Sequence, residues 1–179
     1  MKRKPNGLVT DISLPSIDDS TFNLDQLKGK RYMLSFFRFA SCPFCNLRVN
    51  LLVNKFKEFG ENFTIVAIFD SPFDNLQRYT KKHNAPFYIL ADESNKYYKE
   101  YGVERSFIGM LKGMFLRMPT LLNAMIKKGY FPLDFKGSWL TMPVDILIDE
   151  NGVIHTAYYG KDEGVHLPFE KIKAFSISK

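Results

Sequence analysis

Two stretches of the chain are nearly continuous runs of apolar residues, residues 31–39 and residues 63–69. Such a run is typical of a strand that is buried on both faces, as in a parallel sheet covered by helices. Residues 8–14 instead alternate between apolar and polar positions, which indicates a short half-buried strand. The dipeptide Asn151-Gly152 is a strong hairpin signal. The remaining predicted strands cover residues 21–24, 86–90, 144–148 and 153–159.

Helical periodicity begins directly after the first apolar run and continues to about residue 59, where Gly60 can end the helix. A helix between two buried strands forms a right-handed βαβ unit. The other predicted helices cover residues 24–28, 74–83, 94–101 (with Ser94 as the cap) and 168–175. The pattern predicts an α/β fold with a central mixed β-sheet flanked by helices, in a single domain that spans residues 1–179.

Residues 103–140 are less regular and are predicted to be a helical insertion within this domain. Residues 106–116 and 120–128 have helical patterns that Pro119 separates. The main interpretation of this apolar, methionine-rich stretch is an additional layer of the core. The alternatives are a substrate lid, a self-association surface and a basic amphipathic helix on a membrane surface. The basic residues of the stretch are Lys112, Arg117, Lys127 and Lys128.

Composition and charge exclude several classes of function. With 179 residues, 45% of them hydrophobic and 15% aromatic, the chain can bury a sizeable core. The formal net charge of +6 is mildly basic, and no lysine and arginine cluster matches a nucleic-acid-binding pattern, so no nucleic-acid partner is expected. No run of about 18 apolar residues is present, so no membrane span is expected. The basic residues 2–4 are not followed by the apolar region of a secretory signal, which indicates a cytoplasmic location.

Cys42 and Cys45 are the only cysteines, and their C-x-x-C spacing falls where the first buried strand is followed by the helix. Pro43 suits the first helical position, since its missing N–H would be unpaired there in any case. Cys42 then lies at the N-cap, where open N–H groups and the positive end of the helix dipole favour a thiolate, the reactive form of cysteine. Cys45 lies in the apolar helical run that includes Val49 and Leu52 and faces the core. The pattern predicts Cys42 as the exposed attacking thiol and Cys45 as the half-buried resolving thiol.

Other interpretations of the two cysteines are weaker. A full zinc site usually requires four ligands, and the three histidines of the chain are not spaced as a second ligand pair. Two inert core cysteines are a further alternative, but a cysteine directly before a helix-starting proline is poorly placed for the core. We therefore expect neither a metal nor a cofactor. Arg38 and Arg48 add positive charge near the pair in sequence.

The order of elements, with Cys-Pro-Phe-Cys after the central strand, resembles the thioredoxin fold. Residues 12–15 and 22–30, followed by the Phe-rich strand, resemble the redoxin opening of the AhpC/TSA (alkyl hydroperoxide reductase and thiol-specific antioxidant) family. Residues 142–152 are similar to the strand and hairpin that this family has after its cis-proline. Residues 157–162 and 166–168 resemble its peroxiredoxin-like branch.

The resemblance implies a thioredoxin-like fold with an N-terminal redoxin extension and a helical insertion before the cis-proline strand. It implies that the peptide bond before Pro143 is cis and presents backbone to the substrate. The candidate substrate-positioning residues are Arg38, Pro43, Met142 and Pro143.

The sequence departs from the family's pattern in one important respect. Typical peroxiredoxins carry P-x-x-x-T-x-x-C, whose threonine hydroxyl orients the peroxide, and neither Cys42 nor Cys45 ends such a motif here. Typical members also have an arginine near the position of Pro143. The peroxide-activating set is therefore incomplete, and Arg38 is the candidate to replace the missing positive charge.

Three functions remain open at this point. In a thiol peroxidase, Cys42 (or Cys45, in the alternative alignment) attacks a hydroperoxide, becomes a sulfenic acid and condenses with the other cysteine to a disulfide. An external dithiol such as a thioredoxin then reduces that disulfide. In a thiol–disulfide oxidoreductase, Cys42 attacks a protein disulfide and Cys45 resolves the mixed disulfide. The third hypothesis is a non-catalytic redox sensor or binding module, and a homodimer is compatible with all three.

Overall fold

A computed structural model describes residues 1–134 and 136–178 of the chain. The strands are β1 (Ser13–Pro15), β2 (Thr21–Asn23), β3 (Arg31–Phe37), β4 (Phe63–Phe69), β5 (Tyr88–Ala91), β6 (Val144–Ile148) and β7 (Ile154–Tyr159). The α-helices are α1 (Pro43–Asn54), α2 (Phe73–Thr80), α3 (Lys96–Glu100), α4 (Phe107–Leu116), α5 (Met118–Leu122) and α6 (Phe169–Ile177). Short 3-10 helices cover Leu24–Leu27, Phe56–Glu58 and Lys81–His83, and a π-helix covers Asn123–Lys127.

The central sheet has the strand order β5-β4-β3-β6-β7. Strands β3, β4 and β5 are parallel, whereas β6 is antiparallel to β3 and β7 is antiparallel to β6. Helix α1 connects β3 to β4, which is the βαβ unit that the sequence predicts. Strands β1 and β2 form a separate antiparallel pair. The predicted α/β class with a mixed sheet flanked by helices is confirmed.

Both faces of the central strand β3 are covered, which explains its nearly continuous apolar sequence. Met33 and Phe37 pack in a cluster with apolar side chains of α1, α2 and α6. Leu34 and Phe36 point to the opposite face and pack with the β1–β2 pair and α3. Because successive side chains of a strand alternate between faces, an apolar residue is required at nearly every position.

Several predicted boundaries move by a few residues. Helix α1 ends at Asn54, and only a 3-10 helix continues toward Gly60. Helix α3 is not capped by Ser94. Instead, the Asp92 carboxylate accepts the backbone N–H groups of Lys96 and Tyr97 at 3.0 and 2.8 Å. A carboxylate that bonds several open N–H groups satisfies more of a helix start than one hydroxyl does.

The expectation of a cis peptide bond before Pro143 is wrong, because the described residues contain no cis peptide bond. The trans form is intrinsically favoured before proline, by about 0.5–1 kcal/mol. Here the backbone on both sides is also fixed. The Met142 N–H donates to the Glu104 carbonyl at 2.8 Å, and the Gly160 N–H donates to the Pro143 carbonyl at 2.8 Å. These bonds tie the segment before β6 to residue 104 on one side and to residue 160 on the other.

The interpretation of residues 103–140 as a core layer is wrong for most of their apolar side chains. Only one face of α4 is buried, and the large side chains around it are exposed. Pro119 lies in the first turn of α5, where proline is well tolerated. None of the helices in residues 1–134 and 136–178 has the length and apolar character needed to span a bilayer. We propose that residues 1–179 form one domain and that residues 103–140 are an insertion within it.

Candidate active site

Cys42 occupies the N-cap of α1, the position that the sequence predicts for it. Pro43 is the first residue of the helix, and the Cys42 backbone is extended, with φ −61° and ψ 121°. The Cys42 carbonyl accepts the Asn46 N–H at 3.0 Å, so the first turn of the helix closes directly on this residue. The positive end of the helix dipole is therefore next to the Cys42 sulfur.

Both cysteines are buried, which contradicts the expectation of an exposed Cys42 and a half-buried Cys45. Cys42 has 0% of its surface exposed and Cys45 has 2%, and both are free thiols. The burial of the two thiols results from contacts with parts of the chain that are distant in sequence. Arg38 lies against Cys42, and two distant parts of the chain cover Arg38, because its guanidinium pairs with Glu163 and donates to the Trp139 carbonyl.

Arg38 supplies the positive charge that the site requires. Its Nη1 atom lies 3.8 Å from Cys42 Sγ and also pairs with the carboxylate of Glu163, which is buried as well. Burial disfavours the charged form, but Cys42, Cys45 and Glu163 outweigh this effect and raise the pKa of Arg38. The Arg38 Nε–H is buried and has no hydrogen-bond partner in the described part of the chain. The guanidinium therefore contacts the Cys42 sulfur through Nη1, and its Nε–H remains available as a hydrogen-bond donor.

The environment separates the pKa values of the two thiols. Burial by itself raises the pKa of Cys42. Hydrogen bonds from the Cys45 thiol and backbone N–H, together with the Arg38 charge, outweigh burial and lower the pKa to about 7. Burial and the neighbouring Cys42 sulfur raise the pKa of Cys45 well above its ordinary value. As the pH rises through about 7, Cys42 loses its proton while Cys45 keeps its own, so the pair then holds one proton and the negative charge lies on Cys42. This is the arrangement of an attacking thiolate beside a protonated resolving thiol.

Glu163 is a residue of the site that the sequence did not reveal. Its side chain is buried between Arg38 and α4, where Gly113 makes room for it, since a Cβ at Gly113 would lie 2.2 Å from Glu163 Cγ. Burial raises the pKa of Glu163, and the Arg38 charge opposes that rise. No spacing or periodicity connects residues that are 125 positions apart, so only the folded chain brings this pair together.

Arg48 belongs to a different buried network. It donates to the Leu167 carbonyl at 2.8 Å and lies 3.8 Å from the Asp145 carboxylate. Asp145 also accepts the Ser35 hydroxyl and the Leu167 N–H, and it contacts His166 Nδ1 at 3.1 Å. Although burial raises the pKa of Asp145, His166, Arg48 and Ser35 lower it overall. This network ties β3, β6 and the segment before α6 together, and it leaves Arg38 as the arginine beside Cys42.

Of the predicted positioning residues, Arg38 contacts the Cys42 sulfur, whereas the contacts of Met142 and Pro143 are with other parts of the chain. Met142 packs against α4, where a Cβ at Gly109 would lie 2.6 Å from Met142 Sδ. Pro143 lies beside Gly160 through its ring and carbonyl. The site roles of Pro43, Met142 and Pro143 stay predictions.

One histidine lies next to the first turn of α1. His83 is buried with its Nε2 atom 2.8 Å from Asn46 Oδ1. The Asn46 amide donates to the Cys42 carbonyl at 2.9 Å. Burial lowers the pKa of His83 to about 4, so this ring is neutral at physiological pH. It supports the backbone of the N-cap and carries no charge to the thiols.

In the described residues, no group of three or more histidine, cysteine, aspartate or glutamate side chains is placed to hold a metal ion.

The lowered pKa of Cys42 predicts the pH dependence of thiol alkylation. Reduced protein is expected to react with iodoacetamide with a half-maximal rate near pH 7, whereas free cysteine titrates near ~8.5. Because the thiolate is the reactive form, the rate should fall about tenfold per pH unit below that midpoint. In Cys42→Ser only Cys45 remains, and the midpoint should move above that of free cysteine. A wild-type midpoint near ~8.5 would show that Arg38 and the helix do not stabilise the thiolate.

Comparison with known proteins gives a consistent family relationship. The sequence model of the AhpC/TSA family matches residues 6–157. Peroxiredoxin Bcp from Escherichia coli is 27% identical over 138 residues, which cover 75% of this chain and 88% of that protein. Peroxiredoxin Q (chloroplastic) from Populus jackii is 28% identical over 102 residues, and the match spans only about half, 48%, of that protein. The crystal structure of peroxidoxin BcpB from Mycobacterium tuberculosis superposes with a TM-score of 0.70 at 17% identity and covers 98% of this chain and 99% of the other.

Proposed function

The chain belongs to the AhpC/TSA family, and on this basis we propose that it is a thiol peroxidase that reduces hydroperoxides through Cys42 and Cys45. The observation that carries the proposal is the position of the Arg38 guanidinium, 3.8 Å from the Cys42 sulfur at the start of α1. Burial raises the pKa of the attacking thiol, but the hydrogen bonds from Cys45 and the positive charge of Arg38 outweigh burial and lower that pKa to about 7. Arg38 thereby supplies the positive charge that the missing arginine near Pro143 would otherwise provide.

The reaction follows from the protonation states of the two thiols. The Cys42 thiolate attacks one oxygen of the hydroperoxide, the O–O bond breaks, and the departing alkoxide or hydroxide takes a proton. Cys42 is then a sulfenic acid. The Cys45 sulfur attacks the Cys42 sulfur, water leaves, and a disulfide forms. An external dithiol supplies the two electrons that restore both thiols.

The guanidinium of Arg38 has two functions in this sequence of steps. Its Nη1 group stabilises the thiolate before attack, and the unpartnered Nε–H is a donor for a peroxide oxygen. Preorganised donors of this kind act strongly in a site from which water is excluded. No threonine hydroxyl is required if a guanidinium edge orients the peroxide.

The burial of Cys42 favours a small hydroperoxide over a folded protein disulfide, because a disulfide in a protein surface cannot reach a sulfur with 0% exposure. A thiol–disulfide oxidoreductase is the alternative that uses the same atoms. The proposed partners are a hydroperoxide substrate and a reducing dithiol protein such as a thioredoxin. A cytoplasmic location and a homodimer stay predictions.

The proposal predicts fast oxidation of the reduced protein by hydrogen peroxide. We expect disulfide formation to exceed the oxidation of free cysteine by on the order of 10²–10⁴-fold, the range of positioned acid–base and electrostatic groups. Trp139, the only tryptophan, reports the reaction in a stopped-flow fluorescence experiment, because its carbonyl accepts the Arg38 guanidinium. Cys42→Ser is the control and should give no fluorescence change. A wild-type rate equal to that of free cysteine would reject the peroxidase and favour exchange with a protein disulfide.

A further inference from the structure

Helix α4 exposes its most apolar face. Ile108, Leu111 and Phe115 are three and four residues apart and so lie on one side of the helix. Ile108 is 70% exposed and Phe115 is 74% exposed, whereas the opposite side, which includes Gly109 and Gly113, is buried. An ordinary surface helix has the reverse arrangement, with its apolar side on the core and its polar side in water.

The exposed apolar side chains continue beyond α4 through α5, the π-helix and the loop that follows. We call the exposed face of residues 107–133 the α4 surface. So many exposed large apolar side chains within one short segment are unusual on a monomer and indicate a site of interaction with another surface. Its other exposed large apolar residues are Phe107, Met114, Leu116, Met118, Leu122, Ile126, Phe131 and Leu133.

The charge of the α4 surface has one sign. Residues 105–133 contain no aspartate or glutamate. Arg117 is neutralised by Asp162, at 2.9 Å. Lys112, Lys127 and Lys128 are exposed, and in residues 1–134 and 136–178 no acidic side chain lies within ion-pair distance of them. The surface therefore combines large apolar side chains with three uncompensated positive charges.

These two properties favour an anionic lipid surface over a second copy of the chain. In a two-fold symmetric dimer the same patch faces itself, and the lysines of both copies would be brought together without acidic partners. A bilayer with anionic headgroups accepts both features. Apolar side chains enter the headgroup and acyl boundary while lysines remain at the level of the phosphates.

We propose that the α4 surface docks on the surface of an anionic lipid bilayer. The docked helix would lie in the plane of the interface, with its buried side still on the protein. That buried side covers the site, since Gly113 contacts Glu163, which pairs with Arg38 beside Cys42. Docking uses none of these groups, so it is separable from the chemistry of the thiols.

Vesicle flotation with the full-length reduced protein tests the proposal. We expect the protein to float with phosphatidylglycerol vesicles and to be released by salt, because the lysine contribution is screened. Binding to phosphatidylcholine vesicles should be weaker by on the order of 100-fold, from about fivefold per lysine. Cys42→Ser should bind as the wild type does, and the rate of peroxide oxidation is measured separately.

Two sets of variants test the surface itself. Ile108→Ser with Phe115→Ser should lower binding at least about tenfold, whereas Leu8→Ser, at a residue that is 67% exposed outside the α4 surface, should not. The triple variant Lys112→Gln, Lys127→Gln and Lys128→Gln changes only exposed charges, so its folding is not in question. It should lose the preference for phosphatidylglycerol. Its matched control replaces three exposed lysines elsewhere, Lys30, Lys57 and Lys81.

Each contrary result has a definite meaning. No flotation with phosphatidylglycerol vesicles, or an equal loss in both lysine triple variants, would overturn the proposal. A concentration-dependent dimer in sedimentation experiments that Ile108→Ser with Phe115→Ser dissociates, without vesicle binding, would assign the surface to a second copy instead. Vesicle binding without peroxidase activity would support the docking surface and reject the proposed enzymatic function.

Discussion

Replacing Cys42 with serine is expected to abolish peroxide reduction, while replacing Cys45 with serine is expected to leave a single turnover. A serine hydroxyl at position 42 is not ionised by Arg38 and cannot attack the O–O bond. The loss should be on the order of 10³-fold or more, as for the removal of a nucleophile from other enzymes. In Cys45→Ser the thiolate still forms and reacts once, but the sulfenic acid then has no resolving thiol.

Intact-protein mass spectrometry separates the two variants. After one addition of hydrogen peroxide and trapping with dimedone, Cys45→Ser should carry one adduct and Cys42→Ser none. The wild type should instead lose two hydrogens as the disulfide forms. Full peroxidase activity in Cys42→Ser, together with an inactive Cys45→Ser, would reverse the two roles. No reaction in either the wild type or Cys45→Ser would reject the peroxidase and leave exchange with a protein disulfide, or a non-catalytic binding module, as the function.

Replacing Arg38 with methionine is expected to cause the second-largest loss. An opposite charge within about 4–6 Å typically lowers a pKa by about 1–3, so its removal should raise the pKa of Cys42 by a similar amount. From a starting pKa of about 7, the thiolate fraction near neutral pH would fall roughly 5- to 500-fold, and the rate of peroxide attack with it. The unused Nε–H donor would be lost as well.

The single variant also leaves Glu163 buried without a partner, which can cost about 3–5 kcal/mol of stability. The double variant Arg38→Met with Glu163→Gln removes both charges and avoids that cost, so a slow rate in a folded double variant isolates the effect of the guanidinium. Glu163→Gln alone should shift the pKa of Cys42 in the direction opposite to the shift caused by Arg38→Met. Glu163 raises the pKa of Cys42, so its neutralisation should lower that pKa.

The pH dependence of thiolate absorbance in the ultraviolet measures the pKa of Cys42 directly in the wild type and in each of these variants. A purely structural role for Arg38 would change the stability of the variants and leave the Cys42 pKa unchanged. That outcome would remove Arg38 from the proposed mechanism.

The sequence predicted the elements of the central sheet and the start of α1 because both depend on local rules. Strand β3 is apolar at almost every position because each face of a covered sheet requires it. Cys42 is the N-cap and Pro43 the first helical residue because proline fits only where an N–H partner is not required. The pairing of thiolate and helix dipole follows from adjacent residues and could be inferred without coordinates.

The sequence alone therefore determined the fold class, the family and the two thiols with Cys42 at the helix start. The tertiary structure decided that both thiols are buried, that Glu163 pairs with Arg38, that the bond before Pro143 is trans and that α4 exposes its apolar side. The physical reason is the range of the forces involved. Backbone conformation, capping and the helix dipole act between neighbours in the chain, whereas burial and ion pairing depend on which distant segments pack against each other. No pattern in residues 36–48 could show that residues 139 and 163 would cover them.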